Sequence, residues 1–123
     1  MRGIVLFAHG ARDPGWARPF EEIRRRVRES RPEYPIELAF LDLMEPTLEE
    51  AIASLAEQGA LAITVFPLFM AQGGHLKQDL PRMLEAIRGS HPHIPIALET
   101  ALGEVPEILD AIGAWILARV DVD

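Results

Sequence analysis

The sequence predicts an open α/β fold. It has a four-stranded parallel sheet in the order 2-1-3-4, flavodoxin-like, with helices on both faces and one domain over 1–123. Three observations support this. Apolar runs of strand length alternate with helical patterns, giving βαβαβαβα. That alternation requires right-handed crossovers between parallel strands. The first and third runs are nearly continuous in hydrophobicity, as central strands covered on both faces must be.

The strand runs are Gly3–Ala8, Ile36–Leu41, Ala60–Pro67 and Ile94–Glu99, each short and rich in Ile, Val, Leu or Phe. A first helix is expected from about Trp16 to Glu29, with Phe20, Ile23 and Val27 inward. The second opens at Thr47-Leu48-Glu49-Glu50, a capping box with Thr47 as N-cap, and stops near Gly59, a natural residue just past a helix end. The third is expected to start near Asp79-Leu80-Pro81, where Asp caps and Pro is tolerated in the first turn. Its stripe is Leu80, Met83, Leu84 and Ile87, and Gly89 follows. The fourth begins near Glu104-Val105-Pro106, with Val105, Ile108, Leu109, Ile112, Trp115 and Ile116 as the apolar face.

The chain has 123 residues, of which 49% are hydrophobic and 25% charged, enough for one ordinary soluble core. No apolar run approaches the length of a membrane span, and no secretory signal is read at the N-terminus, so the cytoplasm is the expected location. Cysteine is absent, which excludes disulfide scaffolds, thiolate metal sites and cysteine nucleophiles. Any metal must meet nitrogen and oxygen ligands. A net charge of −7 argues against nucleic acid as a partner. The basic cluster Arg24-Arg25-Arg26 with Arg28 and Arg31 reads as the solvated side of the first helix.

In an open parallel sheet, ligands bind outside the carboxyl ends of the strands, where the strand order reverses. Here that point lies between strands one and three. His9 follows strand one, and His75 closes the loop after strand three. Imidazole ligates divalent metals and acts as a base near neutral pH. Asp42, Glu45 and Glu99 are carboxylates in neighbouring loops. Gly10, Gly73 and Gly74 permit close backbone approach, Leu68, Phe69 and Met70 make an apolar wall, and Arg12 and Lys77 can meet ligand carboxylates. His91 and His93 enter strand four at the opposite end of the sheet. Trp16 and Trp115 read as core, interface or lid residues. The chain lacks G-x-G-x-x-G and G-x-x-x-x-G-K-[ST] loops, and its serines Ser30, Ser54 and Ser90 lie within or end helices. A phosphohistidine phosphatase would want Arg where Ala8 stands.

At Ala8-His9-Gly10-Ala11-Arg12-Asp13-Pro14, at Phe40-Leu41-Asp42 with Glu45-Pro46-Thr47-Leu48, and at Pro67-Leu68-Phe69 with Gly73-Gly74-His75, the chain resembles the short-form sirohydrochlorin cobaltochelatase (CbiX-type) family of class II tetrapyrrole chelatases. Asp79-Leu80-Pro81 and Ala101-Leu102-Gly103 also fit. The family more usually has Ser where Ala11 stands, so one hydroxyl is missing. The resemblance implies insertion of Co2+, bound as a substrate ion, into sirohydrochlorin for cobalamin biosynthesis, with no organic cofactor. It implies His9 and His75 as metal ligands, one of them also removing pyrrole protons, with Asp42 or Glu45 assisting. It implies Gly10, Ala11, Arg12, Phe69, Gly73, Gly74 and Lys77 as substrate-binding. Larger members of the class use two such domains, so a homodimer facing carboxyl end to carboxyl end is expected. Insertion of Fe2+ or Ni2+, a metal- or tetrapyrrole-binding carrier, and a partner-binding flavodoxin-like module remain alternatives.

Overall fold

The computed structural model describes residues Met1–Asp121. In chain order the elements are β1 (Arg2–Ala8), α1 (Arg18–Ser30), β2 (Ile36–Phe40), α2 (Leu48–Glu57), β3 (Ala62–Pro67), α3 (Gly74–Ser90), β4 (Ile96–Leu98) and α4 (Pro106–Val120). The four strands form one parallel sheet in the order β2-β1-β3-β4, as expected. β1 pairs with both β2 and β3, from Ile4↔Ile36 on one side and from Arg2↔Ala62 on the other.

The alternation of side chains along β1 builds a core on each face. Val5 and Phe7 point to the face where Ile63, Val65 and Ile96 meet Ile52 and Leu55 of α2 and Leu80, Leu84 and Ile87 of α3. Leu6 and Ala8 point the other way, to Leu38 and Phe40, where Phe20 and Val27 of α1 pack. The capping box of α2 forms in both directions: the Thr47 hydroxyl accepts the Glu50 N–H at 3.2 Å, and the Glu50 carboxylate accepts the Thr47 N–H at 2.8 Å. Gly59 takes φ +91°, the left-handed conformation that ends a helix at low cost in glycine.

Three elements depart from expectation. α3 begins at Gly74 rather than near Asp79. Gly73 is extended (φ −68°, ψ 162°) and serves as the cap without a side chain, and Leu76 extends the apolar stripe one turn ahead of Leu80. Asp79 is therefore an exposed position inside the helix, and Pro81 lies in its interior. At the front of α1, Pro14–Ala17 first makes a 3-10 turn, with Asp13 accepting the Gly15 N–H at 2.9 Å, and Ile23 is half-exposed instead of inward. α4 buries none of its residues, although its stripe was expected to face the core. It follows a three-residue edge strand whose outward position on the α1 side is the small, exposed Ala97, so there is little apolar surface for it to cover. Among the described residues no helix is long and apolar enough to cross a membrane.

Thr47→Ala removes the hydroxyl half of the capping box. It should lower the unfolding free energy by about 1 kcal/mol, read as a reduced urea midpoint at unchanged slope.

Candidate functional site

The carboxyl rim of the sheet is held by main-chain hydrogen bonds that continue the ladder past the strand ends. Leu41 N–H donates to the Ala8 carbonyl at 2.9 Å, and Leu68 N–H to the Phe7 carbonyl at 2.7 Å. Gly103 N–H donates to the Phe69 carbonyl at 3.0 Å, so the loop after β4 is fastened to the loop after β3. Two glycines sit where these loops touch. A Cβ at Gly10 would fall 1.6 Å from the Asp42 carbonyl oxygen, and one at Gly103 would fall 1.6 Å from that of Met70. Only glycine lets either pair of backbones come so close. The loop after β2 turns through Leu43 at φ +64°, a left-handed conformation that is costly for a Leu.

His9 is the first residue after β1 and is exposed. Its imidazole rests on the Phe69 ring, with centroids 4.5 Å apart and planes inclined at 45°. Phe69 is 1% exposed and meets Phe7 edge-on at 5.5 Å, so the backing of the imidazole is part of the core. The main chain of His9 is held as well: the Trp16 indole N–H donates to its carbonyl at 2.6 Å. His9, Trp16, Phe20, Leu68, Phe69, Met70, Ala71 and Leu102 line a cavity of about 390 Å3, in which His9 is the one titratable group.

His75 lies in the first turn of α3 rather than in the preceding loop, and it is exposed. Both histidines thus stand at the carboxyl ends of paired strands, but the cavity that His9 lines does not take in His75. The Asp42 carboxylate accepts the Gly10 N–H at 3.3 Å, which ties the loop after β2 to the one after β1. Glu45 is exposed just ahead of Pro46, whose carbonyl accepts the Phe40 N–H. Lys77 pairs with Glu104 at 3.1 Å, both about half exposed. Arg12 is exposed and Ala11 partly buried. Of the three glycines expected to permit close approach, only Gly10 does so within the chain: a Cβ at Gly73 or Gly74 would meet nothing within 4 Å. Among the described residues no three His, Asp or Glu side chains gather into a metal-holding group.

The expected apolar wall of Leu68, Phe69 and Met70 lines this cavity, whereas sequence reasoning missed the hydrogen bond from Trp16 and the lining position of Leu102. Trp16 is seven residues beyond His9, a spacing with no meaning until the 3-10 turn bends the chain back. Chemically, the rim presents one oriented imidazole over an apolar floor and a second on a neighbouring element. Both are able to bind a divalent ion or to take a proton.

Fold and rim together define an open, flavodoxin-like α/β unit with two imidazoles on its carboxyl rim. The CbiX family model matches residues 3–117, and the chain belongs to the CbiX family. It is 40% identical over 84 residues to the sirohydrochlorin cobaltochelatase of Methanopyrus kandleri (68% of this chain, 59% of the relative). It is 37% identical over 92 residues to that of Methanocaldococcus jannaschii (74% and 64%). The chain thus spans less than two thirds of the length of these relatives. A crystal structure of a CbiX protein from Marinobacter aquaeolei VT8, whose description assigns it to cobalamin biosynthesis, superposes with TM-score 0.83 at 32% identity and full coverage of both chains. SirB of Bacillus subtilis with Fe3+ gives TM-score 0.75 at 25% identity, covering 92% of this chain and 45% of that one. The sirohydrochlorin chelatase SirB of Bacillus subtilis subspecies spizizenii in complex with cobalt gives 0.73 at 25%, covering 95% and 50%.

Two predictions follow from the rim. Gly10→Ala forces the loops after β1 and β2 apart and should cost about 1–3 kcal/mol in chemical denaturation, whereas Gly73→Ala should leave stability nearly unchanged. Trp16→Phe keeps the ring but leaves the His9 carbonyl without its donor. It should cost about 0.5–1.5 kcal/mol and broaden the His9 imidazole resonances relative to those of His75.

Proposed function

We propose that this chain inserts a divalent metal into sirohydrochlorin, with Co2+ the favoured substrate ion and cobalamin biosynthesis the setting. Insertion exchanges two pyrrole N–H protons for one M2+, so it needs a weakly held ion with open positions and a base within reach. His9 and His75 receive the ion and hand it on, and one of them takes a pyrrole proton. The observation that carries this reading is His9 itself. In a chain of the CbiX family, the histidine at the head of the carboxyl rim is fixed by Phe69 behind its ring and by Trp16 at its carbonyl. An imidazole so held is pre-oriented, and metal ligation gains from that. The archaeal relatives named sirohydrochlorin cobaltochelatase support the substrate and the metal. Fe2+ and Ni2+ suit the same nitrogen ligands and remain competitors, and affinity order alone does not choose among them.

Asp42 has one oxygen on the Gly10 N–H, which leaves the other free to accept a proton, and Glu45 stands on the same loop. Gly10, Ala11, Phe69, Gly73 and Gly74 shape the rim against the macrocycle. Arg12 and Lys77 meet its carboxylates, and Lys77 gives up Glu104 to do so. Local positive charge of this kind offsets the net charge of −7 toward a polyanionic substrate. A cavity of about 390 Å3 is at the small end for ligand sites. A second copy, facing carboxyl end to carboxyl end, would enclose the macrocycle and bring four rim histidines together. The matched SirB chains are about twice as long, which supports a paired arrangement. We place the protein in the cytoplasm, acting as a single-domain protomer without an organic cofactor.

The test is anaerobic mixing of the protein with sirohydrochlorin and Co2+, followed by visible absorption of the macrocycle. Acceleration over the uncatalysed rate is expected, falling at least about 10²-fold in His9→Ala and in His75→Ala. Fe2+ and Ni2+ in the same assay rank the metals. A folded protein that binds sirohydrochlorin or metal without acceleration would overturn the chelatase reading in favour of a carrier.

A further inference from the structure

Charge on this chain is paired mostly within helices. Of the six ion pairs among the described residues, five join side chains three or four positions apart in α1 or α3. Lys77 with Glu104, at 3.1 Å, is the exception. It joins the first turn of α3 to the 3-10 turn Leu102–Glu104 that follows β4.

The start of α3 gains from that tie. Its cap, Gly73, supplies no side-chain hydrogen bond, and no acidic residue stands in the first turn. The charge that this turn does carry is Lys77. A cation is disfavoured there, because the unpaired backbone N–H groups and the positive end of the helix dipole lie at the same place. The Glu104 carboxylate brings to this helix end the negative charge that α3 lacks. Leu76 holds the turn to the core on one side. On the other side His75 is exposed, and a Cβ at Gly73 or Gly74 would meet nothing within 4 Å.

Glu104 is itself firmly placed. Gly103 N–H donates to the Phe69 carbonyl at 3.0 Å, and Glu104 N–H donates to the Ala101 carbonyl at 2.9 Å. Phe69 is also the residue that backs the His9 ring. The ion pair therefore links the turn that bears His75 to the main-chain frame that carries His9.

The same pair parts readily. Its side chains are 55% and 51% exposed, and an exposed pair adds little to stability. Both line a cavity of about 190 Å3 whose other polar walls are Gln72, Glu99 and Thr100, so a released Glu104 does not turn into apolar surroundings.

We infer that Glu104 is a positioning residue for His75: through Lys77 it anchors the first turn of α3, and a ligand carboxylate that takes Lys77 displaces it. The turn is then held most tightly while the site is empty. The displacement rests on the function proposed above, and the anchor does not. Displacement has a signed consequence. Glu104 competes with the ligand for one ammonium group, so removing Glu104 strengthens ligand binding and removing Lys77 weakens it. A pair that only braced the structure would move binding in the same direction in both cases.

Two measurements on the full chain test this, with Glu104→Gln, Lys77→Met and the charge-preserving Lys77→Arg. All three substitutions are at exposed positions, so circular dichroism should show folded proteins. Amide hydrogen exchange at Lys77, Gln78 and Asp79 should be about 2- to 5-fold faster in Glu104→Gln than in the native chain, the range that an exposed ion pair spans, and near native in Lys77→Arg. Metal-free sirohydrochlorin, titrated by its visible absorption, should bind about 2- to 5-fold more tightly to Glu104→Gln and more weakly to Lys77→Met. Unchanged exchange in Glu104→Gln would overturn the anchor. Faster exchange without tighter binding would overturn the displacement. A native chain that binds no sirohydrochlorin would overturn the proposed substrate and the displacement with it, while the exchange measurement still decides the anchor.

Discussion

The rim depends on backbone meeting backbone. Leu41 N–H on the Ala8 carbonyl, Leu68 N–H on the Phe7 carbonyl and Gly103 N–H on the Phe69 carbonyl carry the hydrogen-bond ladder of the sheet into loops that would otherwise be free. Gly10 and Gly103 make those approaches sterically feasible. Because the loops after β1, β2, β3 and β4 are joined in this way, His9 does not sit on a flexible connection. It sits on an extension of the sheet, with core aromatic residues beneath it.

That support differs between the two histidines. His9 has contacts at both ring and carbonyl, while His75 stands on the exposed first turn of α3 beside two glycines with open space around them. One imidazole is held at its ring and its main chain, and the other stands exposed on a helical turn. Under the proposed insertion reaction, in which an ion must arrive hydrated, lose water and leave into a macrocycle, one held and one exposed imidazole is a workable division. A cage of three or four fixed ligands would hold the ion in place.

Much of this was legible in the sequence. Strand order followed from alternation, and the continuous hydrophobicity of β1 and β3 placed them centrally, which in turn placed His9 at the reversal point. Thr47 and Glu50 announced the start of α2 because capping is local chemistry written in adjacent side chains. The start of α3 was not legible. Gly73-Gly74 reads as a loop by propensity, and the helix begins there only because Leu76 finds the core, which is a tertiary fact. The role of Trp16 was hidden in the same way by the 3-10 turn. α4 illustrates a different limit. Its apolar periodicity correctly declared a helix, but periodicity says that a face is to be covered and not by what. Ile108 and Ile112 turn toward the body, while Leu109, Ile116 and Leu117 do not.

Fastening the rim through the main chain also changes what mutation can do to it. Apart from the two glycines, the Asp42 carboxylate on the Gly10 N–H and the Trp16 indole on the His9 carbonyl, the side chains that decorate these loops are not what holds them in place. Residues at positions 11, 12, 73, 74 and 77 are therefore open to exchange without refolding the scaffold. A site built this way is evolvable: under the proposed function, its preference for one metal or one macrocycle can drift by side-chain replacement while the architecture that aims His9 is inherited intact.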